Sequence, residues 1–231
     1  MEHLPNGFIM ELPPGTFPLS TDSMLLAHFA RLPRGAHVLD LGSGCATLGL
    51  LLCAKDESCT VTGLELSECA HLGALENIRR NALESRLSSI CADLRNLPAE
   101  LTGRFHCCVS NPPYFSGGPA NLATPIARRD DCCSPGALFD AAAKALCYGG
   151  DFFLVHKPER LAQLIGCGAA RGLEAKKLTL IRHRDGGPIA LILLQFRKGG
   201  KPGLQLLEQS LFDIHGKPTA YYREAYHIQG D

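Results

Sequence analysis

The sequence predicts an α/β chain built on a doubly wound, mostly parallel sheet, and three observations predict it. From Val38 onward, short apolar runs of strand length alternate with helical patterns, which is the signature of strands joined by crossover helices. The first run, Val38-Leu39-Asp40-Leu41, ends in the turn Gly42-Ser43-Gly44 and leads into Leu48 to Ala54, a stretch better suited to a buried helix than to another strand. A second run, Phe105 to Ser110, is stopped by Asn111-Pro112-Pro113-Tyr114, because neither proline has an amide hydrogen for a ladder.

Taken in order, residues 1–35 form an amino-terminal extension, rich in Gly and Pro up to Pro18 and then helical from Asp22 to Ala30, with Ser20, Thr21 or Asp22 as its cap. The core, residues 36–200, reads as strand 37–41, helix 45–55, strand 60–65, helix 67–83, strands 88–93 and 105–110, helix 134–147 and strand 150–156. A helix from Pro158 to Ala170 and a strand near 176–182 follow. The turn Asp185-Gly186-Gly187-Pro188 then introduces the apolar strand Ile189 to Phe196 as a hairpin. Residues 201–231 are a tail whose Tyr221, Tyr222 and Tyr226 dock on the fold. A length of 231 residues suits one domain with a sizeable core. The stretch 115–134, rich in Gly, Pro, Ala and Asn, is long for a loop without structure and is read as a substrate lid.

Composition narrows the classes. Hydrophobic residues at 45% with 20% charged residues describe a soluble globular chain. No run approaches a membrane span and the start lacks the pattern of a signal peptide, so the expected location is the cytoplasm. Eleven cysteines, an odd number, sit mostly in apolar runs, where free cysteine behaves as a small hydrophobe. Cys107-Cys108 and Cys132-Cys133 are adjacent pairs without zinc-site spacing, so no metal is expected. Net charge is zero, yet residues 1–155 hold 11 Lys+Arg against 16 Asp+Glu and residues 156–231 hold 12 against 7. The basic carboxyl-terminal third offers phosphate contacts to a nucleic acid.

The glycine turn lets a ligand approach the backbone, and amides at the following helix start face that ligand. The dinucleotide fingerprint requires a third glycine where Thr47 stands, so a nicotinamide or flavin fits poorly. Glu65, 21 positions after Gly44 and near the end of the next strand, matches the acid that holds ribose hydroxyls. Together they indicate a nucleoside without a diphosphate. Read without a ligand, Glu65 is a solvated strand-end acid.

Asn111, just before a proline, is pushed toward an extended conformation beyond the carboxyl end of the sheet, where open α/β folds bind ligands. An amide nitrogen or aromatic amine is a poor nucleophile because its lone pair is conjugated. A methyl acceptor of that kind needs its hydrogens held and its lone pair aimed. The Asn111 side-chain oxygen and the Pro112 carbonyl can accept those hydrogens, and Tyr114 can lie against a planar substrate. No ionisable base is needed, and the four residues contain none. The plain alternative is a strand-terminating Asn-Pro turn.

The glycine turn, Glu65, Asp93 and Asn111-Pro112-Pro113-Tyr114 resemble the S-adenosylmethionine-dependent methyltransferases of the class I fold, in the branch that methylates exocyclic or amide nitrogens. Phe17 to Asp22 with Leu25-Leu26-Ala27, Ala127-Arg128-Arg129-Asp130 and Val155-His156-Lys157-Pro158-Glu159-Arg160-Leu161 are similar to the bacterial valine-tRNA adenine N6-methyltransferase family. This resemblance, over residues 8–228, implies a Rossmann-like sheet of seven strands with the last antiparallel. It implies that Asp40, Gly42, Ser43 and Gly44 line the methionine end of S-adenosylmethionine, that Glu65 with Leu66 holds the ribose, and that Asp93 with Leu94 meets the adenine. Ser20 and Asp22 close over the cofactor, and Asn111 belongs to both cofactor and catalytic sets. Arg128, Arg129 and Lys157 join Tyr114 on the substrate side, with His156 as a further substrate-side group. Ala46 stands where a third glycine is common, and alanine suits that place with a negative φ.

The expected function is methyl transfer to the N6 amine of an adenine in tRNA, beside the anticodon of valine tRNA, by a metal-free monomer or homodimer. Protein glutamine methylation, ribosomal RNA amine methylation and a non-catalytic cofactor-binding scaffold are the alternatives. Glutamine methyltransferases usually carry an extra amino-terminal helical domain, and only about 35 residues precede the first core strand.

Overall fold

The computed structural model describes residues 2–4, 7–14, 16, 19–112 and 134–227. Its centre is an eight-stranded sheet of β3 (His37–Leu41), β4 (Thr60–Glu65), β5 (Leu87–Cys91), β6 (Phe105–Ser110), β7 (Leu146–His156), β8 (Leu173–Arg184), β9 (Ile189–Lys198) and β10 (Gln205–Phe212). The order across it is β10-β8-β9-β7-β6-β3-β4-β5. Only β9 runs antiparallel to its neighbours. The chain winds outward from β3 to β5 and then returns to place β6 on the other side of β3, so the winding direction reverses between β3 and β6. That crevice, at the carboxyl ends of the strands, is where folds of this kind bind ligands.

The seven expected strands are present, and the tail adds to them. Residues 205–212 pair in parallel with β8 as an eighth, edge strand, and α6 (Ala220–Ala225) follows. A short ribbon, β1 (Glu2–His3) with β2 (Ile9–Met10), lies apart from the main sheet. No helix among the described residues is long and apolar enough to cross a membrane.

Helix starts follow local chemistry. Of the three candidate caps of α1 (Thr21–Phe29), Ser20 does the work, its Oγ accepting the Ser23 amide at 3.2 Å. Ser67 caps α3 (Glu68–Arg80) in the same way. Ser134 caps α4 (Pro135–Ala145), which has proline in its first turn, where the missing amide hydrogen costs nothing. In α2 (Thr47–Lys55), Gly49 lets the helix sit against β5, since a Cβ there would stand 2.6 Å from Leu87 Cδ1.

Each face of the sheet has its own core. One buries Phe29 of α1, Leu50 and Leu52 of α2 and Ile78 of α3 against Val38, Val61, Phe153 and Val155. The other packs α4 and α5 (Leu161–Ala169) on the sheet around Phe139, Phe152, Phe196 and Leu164. Phe139 meets Phe152 and Phe196 edge-on at 5.2 and 5.0 Å, a preferred aromatic arrangement. The strands are thereby fixed on both sides, and their carboxyl ends become a rigid ledge.

Candidate active site

The turn after β3 is held from β4. Gly42 and Ser43 donate their amides to the Leu64 carbonyl at 2.9 and 3.2 Å. Glu65 accepts the Gly44 amide at 2.8 Å through Oε2 and the Ser67 amide at 2.8 Å through Oε1. Gly42 and Gly44 have φ of 76° and 55°, a region where a side chain is strained. Gly63 is the partner of this turn: a Cβ there would stand 2.6 Å from Ser43 Oγ.

Two expectations about the turn change. Glu65 braces the loop directly rather than standing free at the strand end. Ala46 has φ of 68°, in the left-handed region, not the negative φ expected. Its peptide is pinned from both sides: the Ala46 amide donates to the Ser43 carbonyl at 3.0 Å, and the Cys45 carbonyl accepts from Asn77 Nδ2 at 3.1 Å.

Asp40 is 1% exposed, and neither of its oxygens has a hydrogen-bond partner among the described residues. Burial first, and the charge of Glu65 second, push its carboxyl up to about 8. Ser43 Oγ is likewise buried without a partner among the described residues. An isolated carboxylate is costly to bury, and the raised pKa keeps the group largely protonated at neutral pH.

The ends of β4 and β5 lie side by side, Glu65 opposite Cys91. Leu66 is 42% exposed there. Asp93 caps the 3₁₀ turn that Leu94 opens, and the Arg95 guanidinium beside it, at 2.6 Å, holds its carboxyl below the usual carboxylate range.

Across the crevice, Ser110 Oγ donates to the Leu41 carbonyl at 2.7 Å. This bond ties the end of β6 to the end of β3 and sets Asn111 beside the glycine turn. Asn111 Nδ2 donates to Ser23 Oγ at 2.9 Å and to Ser20 Oγ at 3.4 Å, and Pro112 is buried behind it. Pro113, Tyr114, Arg128 and Arg129 lie outside the described residues, as does the 115–134 stretch except Ser134.

At the end of β7, the Lys157 ammonium opposes the rise that burial gives the Asp22 carboxyl. His156, expected as a further substrate-side group, closes β7 as a buried residue. It is 1% exposed, its Nδ1 accepts the Lys157 amide at 2.8 Å, and burial lowers its pKa to about 4, so the ring is neutral. Three polar residues that sequence reasoning passed over hold the surrounding loops in place: Ser23, Ser110 and Asn77. Each is buried and each hydrogen-bonds a functional loop. Nothing in the sequence marks them, because their burial and their partners are set by the fold.

Residues 20–165 match the family model of the methyltransferase small domain. A tRNA1(Val) (adenine(37)-N6)-methyltransferase from Cronobacter sakazakii is 34% identical over 213 residues, covering 90% of this chain and 84% of the relative. The protein of the same description from Edwardsiella ictaluri is 32% identical over 182 residues, 77% of this chain and 73% of the relative. Among solved structures, a predicted O-methyltransferase from Agrobacterium tumefaciens shares the fold, with a TM-score of 0.75 at 21% identity over 90% of this chain and 96% of the other. The chain is an S-adenosylmethionine-dependent methyltransferase and belongs to the methyltransferase small domain family.

Proposed function

We propose that the enzyme methylates the N6 amine of an adenine in tRNA, at the position beside the anticodon that its relatives' descriptions give as 37 in valine tRNA. The observation that carries the reading is the anchoring of Asn111. With Nδ2 engaged by Ser23 and Ser20, the amide is turned so that Oδ1 is available to accept a hydrogen from a substrate amine, and the Pro112 carbonyl accepts the other. Held this way, the amine nitrogen has its lone pair directed along one line, and orientation replaces a general base.

The residues fit the cofactor. Asp40 offers a buried carboxyl without a partner among the described residues to the cationic methionine end, and the first turn of α2, which has no side-chain cap, offers amides to its carboxylate. Glu65, whose oxygens each retain a lone pair, takes the ribose, with Leu66 against it. Asp93 and Leu94 take the adenine, and Ser20 and Asp22 close the site from α1. When bound, the cofactor supplies an electrophilic methyl group on a sulfonium. Tyr114 stacks on the target base, and Arg128, Arg129 and Lys157 meet the RNA. An anticodon-loop base is already single-stranded, which lowers the cost of bringing it into the crevice. The chemistry needs no metal, and we assign the whole of residues 1–231 to one cytoplasmic domain acting as a monomer or homodimer.

The test is transfer of labelled methyl from S-adenosylmethionine to unmodified tRNA, with mass spectrometry of the digested nucleosides. N6-methyladenosine in valine tRNA is the expected product. Normal cofactor binding without any methyl on tRNA overturns the reading.

A further inference from the structure

Helix α3 and its C-cap present two asparagines one turn apart, Asn77 and Asn81, and both face the amino-terminal segment. Asn81 Oδ1 accepts the Ile9 amide at 2.9 Å, and its Nδ2 donates to the Ile9 carbonyl at 2.8 Å. Asn77 Oδ1 accepts the Glu11 amide at 2.7 Å, and its Nδ2 donates to the Glu11 carbonyl at 3.0 Å. Two side chains thus bond the backbone of alternate residues as a neighbouring strand would. The second hydrogen of Asn77 Nδ2 goes elsewhere, to the Cys45 carbonyl in the glycine turn at 3.1 Å.

Asn77 is 0% exposed, and a single amide therefore joins the segment to the turn. Gly73, one helical turn earlier, gives the room for it: a Cβ there would stand 2.9 Å from Pro13 Cγ and 3.1 Å from Cys45 Sγ. The Cys45 carbonyl shares its peptide plane with the Ala46 amide, so a bond to that carbonyl, together with the bond from the Ala46 amide to the Ser43 carbonyl, constrains the φ of Ala46. That φ is the strained one, at 68°, and it shapes the entry of the chain into α2.

We propose that Asn77 is a positioning residue for cofactor binding, which locks residues 9–13 and the glycine turn into one unit so that the turn keeps its ligand-facing shape only while the segment is seated. This rests on the glycine turn holding S-adenosylmethionine. Asn77 acts through the turn and touches neither substrate nor cofactor.

The test uses the isosteric variant Asn77→Asp in the full chain. It keeps an acceptor for the Glu11 amide and sets lone pairs against the Glu11 and Cys45 carbonyls in place of the two donors. The expected result is a dissociation constant for S-adenosylmethionine raised at least about tenfold, with kcat at saturating cofactor within about threefold of wild type and an unchanged KM for tRNA. Asn81→Ala releases Ile9 and the Asn77 backbone carbonyl, to which Asn81 Nδ2 also donates at 2.7 Å, but leaves the Asn77 side chain with its partners, and is expected to leave cofactor affinity within about threefold. Where Asn77→Asp does not fold, Glu11→Pro removes the amide that Asn77 accepts from an exposed residue, and a cofactor affinity weaker by severalfold is expected. Unchanged affinity in a folded Asn77→Asp or Glu11→Pro protein overturns the proposal, as does a fall in kcat without a change in affinity. A wild-type chain that binds the cofactor but leaves tRNA unmethylated overturns the tRNA reading alone; one that binds no cofactor overturns both.

Discussion

Asn111 Nδ2 lies 2.9 Å from Ser23 Oγ, a contact between residues 88 positions apart in the chain. Two further interactions tie the first turn of α1 to distant parts of the chain. Thr21 Oγ1 accepts from Tyr226 Oη at 2.9 Å, and Asp22 sits in the field of Lys157. The end of β6, the end of β7 and the carboxyl-terminal helix are therefore all registered against one short polar turn. The extension is in this sense part of the catalytic scaffold.

Replacing Ser23 by Ala should loosen the Asn111 amide without removing its oxygen. Turnover is expected to fall about tenfold, against roughly 10²–10³-fold for Asn111→Ala, the scale of losing one positioned polar group at a reacting centre. Single-turnover methylation at saturating S-adenosylmethionine measures both. Cofactor affinity should stay near wild type in Ser23→Ala, and equal losses in the two variants would mean that Ser23 does more than orient the amide.

The buried carboxyl of Asp40 makes cofactor binding depend on pH. Its pKa of about 8 in the free protein means that it is largely protonated at neutral pH, while a cationic ligand binds the ionised form better. Binding then releases a proton, so affinity should rise by up to about tenfold per pH unit below pH 8 and level off above it. Titration calorimetry in buffers of different ionisation enthalpy reads both the slope and the proton, and Asp40→Asn should flatten the slope. The folded pKa is raised above the ordinary value of 3.8, so the free protein should also lose thermal stability as pH rises from about 4 to about 8.

Glu65 contributes to that shift and to the loop. Glu65→Gln keeps one acceptor and points an amide NH₂ at either Gly44 N or Ser67 N. A cost of about 1–3 kcal/mol is expected for the backbone amide left unpaired, measured by denaturant unfolding. With the charge gone, Asp40 loses the second of its two raising influences. The pH at which cofactor affinity levels off should therefore move down, a change that loop damage alone would not produce.

Much of this was legible in the sequence, for local reasons. The glycine turn, Glu65 and Asn111-Pro112 are punctuation marks of strand ends, and strand ends are where the site sits. What was not legible depends on distant partners. The segment Gln205-Leu206-Leu207-Glu208 lacks strict alternation, and Leu206 is 61% exposed, so only pairing with β8 makes it a strand. Ser23 looks like an ordinary first-turn serine until Asn111 is brought beside it. The positive φ of Ala46 leaves no mark in the sequence, because its peptide is held both by the Ser43 carbonyl and by a side chain 31 residues further on.

That imposed conformation can be relieved. An L-residue in the left-handed region costs about 1–2 kcal/mol, which glycine avoids at some expense in chain entropy. Ala46→Gly should therefore stabilise the protein by about 0.5–1 kcal/mol in chemical denaturation. It should also partly restore cofactor affinity in the Asn77→Asp background, because glycine holds that φ without support. A destabilised Ala46→Gly protein would show that the alanine methyl, 1% exposed within the α2 core, outweighs the strain.

Lys157 stands where two roles predict different salt behaviour. As a phosphate contact, its replacement by Ala should raise the KM for tRNA severalfold and reduce the slope of log KM against log salt by about one. As a partner of Asp22 alone, it should leave that slope untouched. In either role its loss removes the charge that lowers the Asp22 pKa while burial continues to raise it, so Asp22 should titrate at a higher pH in Lys157→Ala. Measuring the salt slope of Lys157→Ala beside that of Asp22→Asn separates the two. A slope reduced only in the lysine variant places Lys157 on the RNA, whereas no reduction in either confines the pair to fixing α1 against β7.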